Sequence, residues 1–116
     1  MAFLKMVKRK FSVDEQLYSR IPIQNLILFG IFSLIKRGEK CTFDALIKEC
    51  FNLFPKAFCF SKNPKWPDSR KLDRPLRTLR KIKLISGNPK TVFTLTKKGR
   101  QIALEIARNF HQKKLL

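Results

Sequence analysis

Apolar residues recur at helical spacing through much of the chain. Ile23, Leu26, Ile27, Gly30, Ile31, Leu34 and Ile35 follow the i, i+3, i+4, i+7 rule of one helix face. Leu28, Phe29 and Phe32 add apolar surface around the back, so this helix is expected to be covered on most sides. Pro22 suits its first turn and Gly38 its end. Thr42 is placed to cap a second helix, "FDALIKECFNLF", with Phe43, Leu46, Ile47, Cys50 and Phe54 turned inward and Pro55 as its stop. Leu72, Leu76 and Leu79 mark a third. Thr96 opens a last helix with Ile102, Ala103, Ile106, Ala107 and Phe110 on one stripe.

Between these helices the period changes. "LISG" and "TVFTL" are short β-rich runs around "NPK" and predict a hairpin. "KAFCFSKNPKWP", from Lys56 to Pro67, has no clear period and predicts a loop with a short extended piece at its start. Ser12 and Glu15 fit a capping box for a short helix running to about Arg20. The fold expected is mainly α with a small β-hairpin: residues 1–20 form a basic extension with a short helix, and residues 21–116 form one domain including the C-terminal helix.

Charge alters this picture most in the third helix. The chain carries 26 Lys and Arg against 8 Asp and Glu, a net +18. Residues 62–100 hold 13 of those bases and 2 of the acids, so +11 lies in one third of the chain. Such an excess attracts polyanions. On a helix over 69–83, the three leucines fall within about 60° of one another. Arg70, Arg74, Arg77 and Lys81 cluster on the opposite side in a row roughly 16 Å long. Solubilising faces mix signs. Here the only acids near the row are Asp68 and Asp73, at its start, so this face is expected to contact nucleic acid. Pro75 leaves two starts for this helix: Asp73 caps it with Pro75 in its first turn, or an earlier turn begins at Asp68 or Ser69 and Pro75 kinks it; the earlier start is the one expected. Trp66 is expected to be a packed loop anchor rather than a stacking surface.

Other classes are disfavoured. Catalysis is not expected: His111 is the only histidine, and there is no glycine-rich phosphate loop and no clustered carboxylates. Cys41, Cys50 and Cys59 lack the spacing of a zinc site, so no metal or cofactor is expected. They read as reduced thiols of a cytoplasmic protein. The most apolar run, "IPIQNLILFGIFSLI", is shorter than the ~20 residues of a membrane span. "MAFLKMVKRKF" lacks the pattern of a secretory signal.

"LRTLRKIKLI" at Leu76–Ile85 and "LTKKGR" at Leu95–Arg100 resemble the winged helix-turn-helix superfamily. Many of its regulators run "LRxLxxxxLI" into a wing and then "LTxxGR" into a C-terminal helix. The resemblance covers about residues 22–110 and implies a three-helix core, a two- or three-stranded wing and flanking terminal helices. In DNA-binding members the third helix enters the major groove, and the wing touches the backbone or the adjacent minor groove. By position, Arg70, Lys71, Arg74, Arg77, Thr78 and Lys81 would then face the groove, with Asn88 and Lys90 at the tip of the wing 86–94. The chain departs from the pattern in one respect: about fourteen residues join the second and third helices, where three or four are usual. The resemblance implies double-stranded DNA as partner and a transcriptional regulator or architectural factor. A protein-contact module and an RNA-binding protein are the alternatives. The surplus apolar surface of "MAFLKM", Leu28, Phe29 and Phe32 suggests a homodimer.

Overall fold

The computed structural model describes residues 13–115. The chain order is α1 (Glu15–Tyr18), α2 (Ile23–Lys36), α3 (Phe43–Leu53), α4 (Pro55–Phe58), β1 (Cys59–Phe60), β2 (Asn63–Pro67), α5 (Arg70–Lys81), β3 (Ile85–Ser86), β4 (Thr94–Leu95) and α6 (Lys97–Leu115). The architecture is mainly helical, with β1–β2 and β3–β4 as two small antiparallel hairpins.

α2 is the hub: α3, α5, α6 and β4 all pack on it. Its all-round apolar sequence explains this, for Leu26, Ile27, Leu28, Gly30, Ile31 and Leu34 are all buried. Phe29, expected to be surplus surface, meets Phe110 of α6 edge-on with ring centroids 5.2 Å apart, and Phe54 at 6.0 Å. Phe32 lies under the ammonium of Lys36. Of this apolar surplus, Phe29 is thus covered within the chain by α6 and Leu28 is buried, while Phe32 is half-buried. The "MAFLKM" stretch lies outside the described residues.

Phe54 is the aromatic centre of the core, with Tyr18, Phe58 and Phe110 also around it. The Tyr18 ring is buried, and its hydroxyl accepts a bond from the Lys56 N–H at 3.0 Å. α1 therefore packs into the same core as the helices that follow. The cap of α1 differs from expectation: Asp14, not Ser12, is the N-cap, its carboxylate accepting the Gln16 N–H at 3.0 Å. Ser12 lies outside the described residues. Thr42 caps α3 as predicted, accepting the Ala45 N–H.

A non-local ion pair locks α2 to α3. Glu49 is buried, and Arg37 grips it with two guanidinium nitrogens, at 2.7 and 2.9 Å, while the Ser33 hydroxyl donates at 2.6 Å. The bidentate geometry offsets the cost of burying the carboxylate. These bonds hold the Arg37 guanidinium pKa above its ordinary value, with Glu49 the larger cause and Glu39 adding to it. Cys41 and Cys50 are buried free thiols, and Cys59 is a half-buried one.

The segment 55–67 departs most from expectation. Pro55 does not merely end α3; it opens α4, where a proline at the first helical position sacrifices no intrahelical bond. The stretch expected to be a loop then folds into the β1–β2 hairpin. The connection between α3 and α5 is long because it is itself folded, as α4 and the β1–β2 hairpin.

Candidate nucleic-acid interface

α5 begins where the leucine spacing places it. Leu72, Leu76 and Leu79 are buried against the core. The helix opens at Arg70 with Ser69 at the N-cap, so Pro75 lies inside it, as the earlier of the two starts requires. Ser69 makes no side-chain cap. Asp68 does that work instead, its Oδ1 accepting the Arg70 N–H at 3.1 Å. At the other end Arg80 and Lys81 stand in the last turn, where positive charge suits the helix dipole.

The expected site residues fall into distinct groups. Arg74 and Lys81 are exposed on the outer face and have no acidic partner among the described residues. Arg77 is exposed too, but its guanidinium is 2.7 Å from Asp73 one turn earlier. Arg70 is held more firmly. It bonds Asp68 at 3.1 and 3.3 Å and lies 5.2 Å over the Phe60 ring. The bond from Arg70 is the main reason the Asp68 carboxyl pKa is lowered, against the opposing effect of burial, and Arg70 is raised in return. The row of one sign is therefore half neutralised by its own acids. The Arg77–Asp73 pair is exposed on both sides and therefore weak, so a phosphate can displace that carboxylate at little cost, whereas Asp68 is buried and keeps Arg70. Lys71 and Thr78 are half-buried at the flanks of the face.

The tip of the β3–β4 hairpin divides in the same way. Lys90 is exposed. Asn88 builds the turn: its Oδ1 accepts the Lys90 N–H at 2.8 Å, and its own N–H donates to the Thr91 hydroxyl. The hairpin register is Ile85 opposite Leu95 and Ser86 opposite Thr94, with the two hydroxyls 2.6 Å apart. One backbone bond, from Phe93 N to Cys41 O at 2.8 Å, ties it to the connector between α2 and α3.

Two exposed bases were not among the expected site residues. Arg80 falls near the leucine side of the helical wheel, and Lys83 follows the helix, so a row drawn opposite the leucines omits both. Lys83 has a left-handed backbone, φ +62°. It closes α5 through Lys83 N to Arg80 O and Leu84 N to Leu79 O, the arrangement in which glycine is the usual occupant. A lysine there costs on the order of 1 kcal/mol. The Thr96 hydroxyl donates to the Lys83 carbonyl at 2.8 Å and accepts the Gly99 N–H at 3.2 Å. That fixes the first turn of α6, with exposed Lys97, Lys98 and Arg100, beside the end of α5. Trp66 also departs from expectation: it is 61% exposed and not a packed anchor.

No family model matches the sequence, and no curated protein or solved structure matches it. Among the described residues no helix is long and apolar enough to cross a membrane, and no three His, Cys, Asp or Glu side chains group as metal ligands.

Proposed function

We propose that the protein is a winged-helix protein that binds double-stranded DNA as a transcriptional regulator or architectural factor. In this reading α2, α3 and α5 are the three core helices. α5 lies in the major groove, and the β3–β4 hairpin is the wing on the backbone or minor groove. The observation that carries it is the division of α5: three buried leucines anchor one face, while the other presents Arg74 and Lys81 without acidic partners among the described residues. Arg77, Lys83 and Lys90 extend the same charge toward the wing. Duplex DNA is favoured over duplex RNA because the deep, narrow major groove of A-form RNA excludes a helix.

A protein-contact role is the second reading, and the exposed apolar side chains Ile82, Val92 and Leu104 favour it. One double variant, Arg74→Ala with Lys81→Ala, separates the two. If the pair touches phosphate, duplex affinity drops and the log–log salt slope becomes shallower by about 2, with the melting temperature unchanged. Unaltered duplex binding by the folded double variant would remove α5 from the interface.

A further inference from the structure

The β1–β2 hairpin is not used by the duplex contact described above, yet its second strand is exposed from Pro64 to Pro67 and carries the tryptophan of the chain. Its register jumps: Phe60 faces Asn63, but Cys59 faces Pro67. Pro64, Lys65 and Trp66 therefore stand opposite a single step of β1. A bulge of this kind leaves residues out of the ladder and re-aims their side chains. The indole displayed there is 61% exposed, although tryptophan usually hides most of its large apolar surface.

The arm that carries it is constrained. Pro64 and Pro67 fix φ on either side of Lys65 and Trp66. The Asp68 N–H bonds the Phe58 carbonyl at 2.8 Å, and the Arg70 guanidinium covers Phe60, so the hairpin is clamped to the start of α5. Lys62, at the turn, and Lys65 are exposed, and no carboxylate occurs between Cys59 and Pro67. The hairpin joins the N-terminal end of α5, and β3–β4 follows its C-terminal end. The basic helix thus has a lysine-bearing hairpin at each end, with Lys62 and Lys65 on one and Lys90 on the other.

We propose that Trp66 stacks on an unpaired base next to the duplex held by α5, with Lys62 and Lys65 neutralising phosphates of the unpaired strand. The preferred ligand is then a junction of duplex and single strand. The proposal rests on the duplex-DNA reading. The positive hairpin favours nucleic acid as the occupant. Side chains that wedge into intact duplex are typically Phe, Leu, Ile, Met or Pro, and tryptophan is not among them, whereas its broad ring suits stacking on an unpaired base.

Trp66 is the single tryptophan of the chain, so intrinsic emission reads this side chain alone. The full chain is titrated with a blunt duplex and with the same duplex bearing a short single-stranded overhang. DNA anisotropy and tryptophan emission are followed together. The junction is expected to bind about tenfold more tightly than the blunt duplex and to quench the emission. Trp66→Ala should abolish that preference while binding blunt duplex like the parent, and Trp66→Phe should keep part of it. Equal binding of both DNAs without quenching would overturn the proposal and leave the duplex reading standing. Equal quenching by both would place the indole in intact duplex and also overturn it. Failure to bind either DNA would overturn the duplex reading as well.

Discussion

Gly99 sits in the first turn of α6, where alanine is ordinarily the better residue by about 0.5–1 kcal/mol. Here the backbone of Leu84 occupies the space a methyl group needs. A Cβ on Gly99 would lie 2.0 Å from the Leu84 carbonyl oxygen and 3.0 Å from its carbon. Even the tightest real contacts are near 3.0 Å, so the helix start and the Leu84 backbone must separate by roughly 1 Å. That movement strains the bonds Leu84 shares with the cap, including Thr96 N to Leu84 O at 3.1 Å. Overpacking of this kind costs about 1–3 kcal/mol, and a weakened Thr96 cap adds to it. After subtracting the propensity gain, Gly99→Ala should destabilise the protein by about 2 kcal/mol and lower its melting temperature by roughly 5–10 °C. The assay is thermal melting followed by circular dichroism, with urea unfolding as a check. A melting temperature equal to or above that of the parent would refute the packing of α6 against the Leu84 backbone. This contact also gives the glycine of "LTKKGR" a physical meaning: it lets the last helix start against the backbone of Leu84, just before β3.

Further outcomes concern the core, the charged face and the thiols. Leu79→Ala should cost about 2–5 kcal/mol, because that side chain is fully buried, whereas Arg74→Ala should change stability by less than about 0.5 kcal/mol; urea melts of both variants check the assignment of faces. The Asp68 carboxyl is held below its usual pKa by Arg70, so its stabilising effect is present at neutral pH and is lost as pH falls below about 4 and through the folded-state value. Melting over pH 2–7 should show Asp68→Asn less stable than the parent at pH 7, with the gap closing at the acid end. Burial pushes the Cys41 thiol up to about 12 and Cys50 well above its ordinary value, so a thiol reagent at pH 8 should modify Cys59 first and reach the other two only as fast as the protein opens.

Much of the helical frame was legible because its signals are local. The leucines of α5 stand out as a stripe in a charged stretch, and Thr42 precedes an apolar run at capping distance. The Asp73–Arg77 pair was also available from spacing, since those residues lie one turn apart. The β1–β2 hairpin was not legible, and its bulge is the reason. With Pro64, Lys65 and Trp66 out of the ladder, the alternation that marks a strand disappears. Pro55 misled for a related reason, because a proline that ends one helix is equally suited to begin the next. The Arg37–Glu49 lock joins two helices, and no local period announces it. The cover that α6 gives Phe29 is likewise a tertiary fact, invisible to a helical wheel drawn for α2 alone.

The central claim is that the outer face of α5 and the wing hold the phosphates of duplex DNA. It is tested most directly by measuring the affinity of the full chain for a blunt duplex between about 50 and 200 mM salt, a range over which phosphate contacts dominate the change. Contacts from Arg74, Arg77, Lys81 and Lys90 predict that log K falls linearly with log salt at a slope of about −4. Absent binding, or an affinity that stays flat across that range, would contradict the account.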